Sequence, residues 1–200
     1  MFTGIVTHTA KVSASPTKDG SLLLTFGWPK DWPDLQLGES IAMDGVCLTV
    51  SDLKKDSFDC FVMPETLSKT TFGGQLPKVV NLERSLTMAD RFGGHFVQGH
   101  IDARGKIGQV DRSQGYEVWV EFPAEFGALV IPKGSIAING VSLTVAAIEA
   151  NKLKIALIPH TLEHTTLGSL KSGDNVNLEF DMLGKYIVKA IEERRPHAKS

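Results

Sequence analysis

The chain reads as an all-β protein built twice: two small antiparallel barrels or sandwiches, then a single terminal helix. Three observations carry that expectation. Residues 40–50, Ser-Ile-Ala-Met-Asp-Gly-Val-Cys-Leu-Thr-Val, return at 135–145 as Ser-Ile-Ala-Ile-Asn-Gly-Val-Ser-Leu-Thr-Val, with eight of eleven positions identical at an offset of 95. The same offset relates residues 63–73 to 158–168 and Gly4-Ile5-Val6 to Gly99-His100-Ile101. A period this long marks a domain duplication, because solenoid and propeller repeats run about 20–50 residues. Second, short runs of aliphatic, β-branched and aromatic residues alternate with turns, the pattern of small closed β folds. Third, helical spacing of apolar residues is concentrated in the tail.

The elements follow in chain order. Ser21–Phe26 and Tyr116–Phe122 are strand runs, the second alternating apolar with polar. Asp44-Gly45 and Asn139-Gly140 each precede a Val-x-Leu-Thr-Val strand. They predict tight turns, since Asn, Asp and Gly tolerate positive φ. Polar turns at Lys54-Lys55-Asp56 and Ala150-Asn151-Lys152 reverse the chain into Phe58–Met63 and Leu153–Ile158. Pro64 and Pro159 suit the first position of a short helix, where a missing N–H does no harm, and Gly73 and Gly168 are placed to end it. Met88–Gly94 reads as the linker, so the expected units are residues 1–94, 95–181 and 182–200. In the last, from Met182 to Arg195, Leu183, Ile187, Ala190 and Ile191 form one stripe opposite Lys185, Lys189, Glu192 and Glu193. That stripe needs a cover, either the second barrel or the same helix of other subunits.

Composition narrows the function classes. Hydrophobic residues make up 42% of the chain and 21 basic residues face 23 acidic ones. With a net charge of −2 there is no global basic field for nucleic acid or membrane. No apolar run approaches the ~20 residues of a membrane span, and no secretory signal pattern opens the sequence. Two cysteines, Cys47 and Cys60, are too few for a disulfide framework or a cysteine zinc site. The expected compartment is the cytoplasm.

Where the copies disagree, chemistry has broken the symmetry. Cys47 faces Ser142 across the repeat: a thiol is a small apolar side chain or, ionised, a strong nucleophile, whereas a hydroxyl needs a base. Both sit beside the duplicated Thr49 and Thr144. Ile5 is replaced by His100, which reads as a hydrogen-bonded barrel histidine or as an acid–base group near neutral pH. His95, five residues earlier, points to the opposite face if the segment is a strand. Glu65 and Lys69 become His160 and His164, four apart on one face of a short helix. That is also a metal-pair spacing, but no Glu directly follows the first histidine, and a metal is not expected. Thr66, Thr70, Thr71 and their copies Thr161, Thr165, Thr166 supply hydroxyls for capping or for a polyol or heterocycle.

Taken together, Met-Phe-Thr-Gly-Ile-Val, Gly-Val-Cys-Leu-Thr-Val, Val80-Asn81-Leu82-Glu83-Arg84, Gly-Gly-His-Phe-Val-Gln-Gly-His and Gly-Val-Ser-Leu-Thr-Val resemble riboflavin synthase, in order and over essentially the whole chain. The resemblance implies two six-stranded Greek-key β-barrels and a C-terminal helix that assembles a homotrimer. It implies a cofactor-free transferase: two molecules of 6,7-dimethyl-8-ribityllumazine exchange a four-carbon unit, giving riboflavin and 5-amino-6-ribitylaminouracil. It also points to lumazine synthase, the enzyme that makes the substrate, as a docking partner.

Carried over residue by residue, the resemblance implies one pocket at Gly4, Ile5, Val6, Ser40, Cys47, Leu48 and Thr49, with Phe61, Val62, Met63, Pro64, Glu65 and Thr66. It implies a second at Gly99, His100, Ile101, Lys133, Ser142, Leu143 and Thr144, with Leu157, Ile158, Pro159, His160, Thr161 and Leu162. Asp181 stands where the family places a carboxylate near the site. Strand-edge backbone groups can hold a flat ring while alternate side chains face it. The expected catalytic set is Cys47, on the acceptor side, and His100, Ser142 and Thr144, stabilising an anion formed at the donor's position-7 methyl. Many relatives carry Glu where His160 stands, and the Asp44/Asn139 pair varies among them. The rival readings are a non-catalytic lumazine or flavin antenna, which looks degraded at the equivalents of Cys47 and His100, and a flavin-reductase barrel, for which a Gly-rich phosphate loop is missing.

Overall fold

The computed structural model describes residues 1–113 and 115–194. The first barrel contains β1 (His8–Pro16), β2 (Leu22–Gly27), β3 (Ser40–Met43), β4 (Val46–Leu53), β5 (Ser57–Val62) and β6 (Val79–Arg84). The second contains β7 (Ala103–Asp111), β8 (Glu117–Glu121), β9 (Ser135–Ile138), β10 (Val141–Glu149), β11 (Lys152–Ala156) and β12 (Asn175–Phe180). Both close in the same order, β1-β2-β5-β4-β3-β6 and β7-β8-β11-β10-β9-β12, with every pairing antiparallel. These are the two six-stranded Greek-key barrels the resemblance implies, and a helix follows them.

Local chemistry explains the strands. Leu24 and Phe26 of β2 point inward, as do Leu153 and Ile155 of β11, while Lys152 points out. Phe26 stacks on Phe58 with centroids 5.5 Å apart, and Phe126 on Phe180 at 4.8 Å, anchoring one core each. Full burial of a Phe side chain contributes about 1.5–3 kcal/mol. The Asp-Gly and Asn-Gly turns adopt the left-handed conformation at both residues, with φ of 44° and 79° at the first turn and 46° and 77° at the second. Such two-residue turns match the twist of the strands they join.

The short helices α1 (Pro64–Lys69) and α2 (Pro159–His164) begin at their prolines as expected. They end earlier than expected. The chain becomes extended at Thr70 and Thr165, and Gly73 and Gly168 fall in the 3-10 turns that follow. A further 3-10 segment, Ala124–Leu129, was not legible as an element in the sequence. It receives α3 (Met182–Arg194), whose Lys185 pairs with Asp102 at 2.6 Å. Arg195, read as the last helical residue, lies outside the described residues. Leu183, Tyr186, Ile187 and Ile191 of α3 remain 53–68% exposed, so the second barrel does not cover the stripe.

The barrels meet along a seam with near two-fold symmetry. Phe2 and Val97 exchange backbone hydrogen bonds of 2.8 and 3.2 Å, and with Ala42 and Ala137 they form a small third core. Asn81 donates from Nδ2 to the Asn139 carbonyl at 2.9 Å and accepts the Thr166 N–H at 2.7 Å. Asn177 does the same in reverse, donating to the Asp44 carbonyl at 2.9 Å and accepting the Thr71 N–H at 2.8 Å. Each buried asparagine therefore satisfies two backbone groups of the opposite barrel, groups that would be costly to leave unpaired.

Candidate active site

The segments preceding β1 and β7 cross the seam. The Cys47 N–H donates to the Gly99 carbonyl at 2.8 Å, and the Ser142 N–H donates to the Gly4 carbonyl at 2.8 Å. A Cβ built on Gly99 would lie 2.5 Å from the Cys47 Cβ, and one on Gly4 would lie 2.7 Å from the Ser142 Cβ. Both glycines also have left-handed φ, +81° and +75°. Close approach and backbone conformation thus both select glycine. Behind each crossing stands a buried carboxylate. Glu83 accepts from the Thr3 N–H and Oγ1 at 2.7 Å each and from the Gly4 N–H at 2.9 Å; Glu179 accepts from the Gln98 and Gly99 N–H groups at 2.6 and 2.9 Å.

This crossing regroups the expected pockets. Gly4, Ile5 and Val6 belong beside Ser142, and Gly99, His100 and Ile101 beside Cys47; the expectation that each triplet serves its own half is corrected. The reason is the seam. Each segment is anchored by a carboxylate of its own barrel but offers its carbonyl edge to the other. His100, expected to act with Ser142 and Thr144, is exposed on the Cys47 side.

The first group centres on β4. Ser40 lies opposite Thr49 in the β3–β4 ladder. β5 runs beside β4 with Val50 opposite Cys60, so Phe61 and Val62 end the strand and Met63 to Thr66 leave the sheet at the Cys47 end. Leu48 and Val62 are buried in the barrel core and can offer only backbone to a ligand, whereas Phe61 and Met63 are half exposed. Cys47 is half-buried, and burial raises its thiol above the ordinary value, with the Ser40 hydroxyl opposing the shift. At neutral pH it is a thiol, a weak donor and not a thiolate nucleophile. Glu65 is tied to Lys69 at 3.0 Å on the exposed face of α1.

The second group centres on β10. Val145 lies opposite Ile155, so Leu157, Ile158, Pro159, His160, Thr161 and Leu162 leave the sheet near Ser142. Leu157 is buried and Ile158 exposed. Lys133, at φ 65°, donates its N–H to the Val145 carbonyl at 2.8 Å, and Thr144 is exposed next to it. His160 and His164 stack at 4.1 Å, with His164 Nδ1 2.9 Å from the His160 carbonyl.

The residue the sequence missed is His95. Its Nδ1 is 2.7 Å from Ser142 Oγ, and the residue is 8% exposed. Burial pushes its pKa below the usual imidazole value, while the nearby Asp181 carboxylate partly opposes the shift. His95 is therefore a neutral imidazole at pH 7, beside the hydroxyl that needs a base. Asp181 also accepts the Leu183 N–H at 2.9 Å, fixing the start of α3 next to this group. The only sequence signal was position: His95 is the first histidine of the Gly-Gly-His-Phe-Val-Gln-Gly-His motif, but a strand reading turned it away from His100.

The comparisons with known proteins agree with this architecture. The lumazine binding domain family matches the chain twice, over residues 3–85 and 98–181. Riboflavin synthase of Mycobacterium tuberculosis (strain ATCC 25618 / H37Rv) is 43% identical over 197 residues, covering 96% of this chain and 98% of that protein. Riboflavin synthase of Photobacterium phosphoreum is 36% identical over 202 residues, covering 100% and 93%. Among solved structures, LumP complexed with riboflavin superposes with a TM-score of 0.81 at 26% identity, over 90% of this chain and 99% of that one. LumP complexed with 6,7-dimethyl-8-(1'-D-ribityl) lumazine gives 0.80 at 24%, with the same coverage, and speaks for the fold. The chain belongs to the riboflavin synthase family, built from two lumazine-binding domains.

Proposed function

We propose that this chain catalyses the riboflavin synthase reaction, in which two molecules of 6,7-dimethyl-8-ribityllumazine yield riboflavin and 5-amino-6-ribitylaminouracil by transfer of four carbons, without a cofactor. The observation that carries this reading is the duplicated lumazine-binding unit whose two copies differ at their reactive side chains, Cys47 against Ser142. A reaction between two copies of one molecule suits two related pockets, and aligning two reactants can remove ~7–11 kcal/mol of barrier.

The proposed acceptor pocket comprises Ser40, Cys47–Thr49, Phe61–Thr66 and Gly99–Ile101, with the Cys47 thiol and His100 facing the acceptor. The proposed donor pocket comprises Gly4–Val6, Lys133, Ser142–Thr144, Leu157–Leu162 and Asp181. There the position-7 methyl loses a proton, with His95 and Ser142 as the pair that takes it up and Thr144 assisting. The units are residues 1–94, 95–181 and the helix and tail 182–200. The uncovered apolar face of α3 supports assembly of a homotrimer, in which pockets of neighbouring subunits face each other. Ile187→Glu is then expected to shift sedimentation to the monomer and abolish turnover. The cytoplasm is the proposed location, in keeping with two free cysteines and with no helix among the described residues long and apolar enough to cross a membrane. Docking with lumazine synthase is proposed on the resemblance alone.

The test is direct. Purified protein is incubated with 6,7-dimethyl-8-ribityllumazine while flavin absorbance is followed. One riboflavin per two lumazines consumed is the expected result. Tight lumazine binding with no riboflavin would establish an antenna protein instead.

A further inference from the structure

Asp44 and Asn139 occupy equivalent places on the seam and make matching bonds. The Asp44 N–H donates to the Asn81 carbonyl at 2.9 Å, and Asp44 Oδ1 accepts the Asn81 N–H at 2.8 Å. The Asn139 N–H donates to the Asn177 carbonyl at 2.9 Å, and Asn139 Oδ1 accepts the Asn177 N–H at 2.8 Å. Both residues are nearly sealed, 3% and 7% exposed. Their glycine partners touch: a Cβ on Gly45 would lie 2.7 Å from the Gly140 nitrogen. The two side chains are isosteric and differ in one group. Asn139 cannot ionise, and Asp44 can.

Among the described residues no ion pair compensates a charge on Asp44. Its carboxyl accepts one hydrogen bond among the described residues, from the Asn81 N–H. The cleft of about 530 Å³ that Asp44 and Asn139 line from beneath also holds Lys78, Arg104 and Asp174, none of which forms an ion pair with Asp44 among the described residues. Along the neighbouring strands the titratable groups are Cys47 and Asp52 of β4, Glu83 and Arg84 of β6, Arg104 of β7 opposite Asn177, and Glu179 of β12; the Arg84 guanidinium is taken up by Asp34 and Glu39 at 2.8 and 2.6 Å. A carboxylate so placed pays its desolvation almost uncompensated, and the neutral acid is favoured. Burial accordingly pushes Asp44 up to about 7.

We propose that Asp44 is a proton-held clamp on the barrel–barrel seam: protonated, it closes its side as Asn139 closes the other, and losing that proton loosens the seam across which both pockets are built. The link to the pockets is short. Three residues after Asp44 comes Cys47, held by Gly99 of the crossing segment; three after Asn139 comes Ser142, held by Gly4. The sign follows from the direction of the shift. The folded protein keeps a proton that the unfolded chain releases between the ordinary value of 3.8 and about 7. Stability from this group is therefore full below that window, falls as pH rises through it and stays lost above.

The experiment compares urea unfolding of the wild type and Asp44→Asn from pH 5 to 9 at one protein concentration. One released proton changes the unfolding constant about tenfold per pH unit. The variant is expected to lose up to that much of the slope between pH 5 and 6.5, and to unfold at higher urea than the wild type above pH 7. Glu83 and Glu179, both also raised by burial, remain in the variant and supply the residual slope. Equal slopes in the two proteins overturn the proposal. Should the variant not fold, the side-chain carboxyl of Asp44 is titrated in the wild type by carbon NMR. A midpoint near 7 supports the clamp, and one below 5 overturns it. Amide exchange at Cys47 and Ser142 reads the loosening itself: in the wild type their protection falls between pH 6 and 8, and unchanged protection overturns the link to the pockets.

Discussion

His95 Nδ1 stands 2.7 Å from Ser142 Oγ, so a histidine on the crossing segment meets a serine on β10 across 47 residues of chain. The ring is buried and neutral, and the hydroxyl is the only group of the described residues within its hydrogen-bond reach. That pair sets the first prediction. His95→Gln, whose amide falls nearer the Nε2 position, is expected to lower kcat about 10²-fold, in the range of positioned acid–base catalysis. His95→Asn, which can reproduce a polar atom near Nδ1, should retain more of the rate. Steady-state flavin production with KM measured separately checks this, and equal rates for both variants would count against the pair.

Gly99→Ala places a methyl group against the Cys47 Cβ at a left-handed φ. The expected cost is about 1–3 kcal/mol, the range for overpacking a close-packed contact, with a lower melting temperature to match. Gly4→Ala should behave alike against Ser142. An alanine at Gly38, whose φ is also left-handed but which has open space around it, isolates the backbone part of the cost.

Asn177→Ala removes the two cross-seam bonds of one asparagine and leaves the Asp44 carbonyl and the Thr71 N–H without their partners. Each unsatisfied buried group costs about 1–3 kcal/mol. The urea midpoint is expected to fall strongly, and Asn81→Ala should fall by a comparable amount because its bonds mirror these. A difference of more than about twofold between the two would show that the seam is not energetically symmetric.

Cys47 is held as a thiol by burial, so its alkylation by iodoacetamide should be slower at pH 8 than that of a free cysteine. The rate should rise with pH along a curve displaced to the alkaline side of the ordinary thiol value. Mass spectrometry of the Cys47 peptide follows it. Rapid labelling at pH 7 would mean that a thiolate forms and would restore a nucleophilic role.

Much of the fold was written locally. The Asp-Gly and Asn-Gly turns, the proline helix starts and the alternating strands depend on φ preferences and on burial of one face, which neighbouring residues decide among themselves. The ends of α1 and α2 were misjudged because Thr70 and Thr165 turn extended, one with its side chain buried and the other bonded back to the Thr161 carbonyl, and the glycines only serve the next turn. The candidate residues along β4 and β10 were legible because the duplication marked them. Their grouping was not, since nothing in Gly4 or Gly99 alone says which barrel receives its carbonyl.

The amino-acid sequence by itself determined the duplication, the strand and turn grammar, the family and most of the candidate side chains. Tertiary structure alone decided that Gly4 serves Ser142 and Gly99 serves Cys47, that His95 reaches the site, and that α3 keeps its apolar stripe uncovered. The physical reason is the same each time. Periodicity and propensity report on residues a few positions apart, whereas these contacts join residues 47, 52 and 138 positions apart, or depend on which face the seam leaves free, and only the packed pair of barrels brings them together.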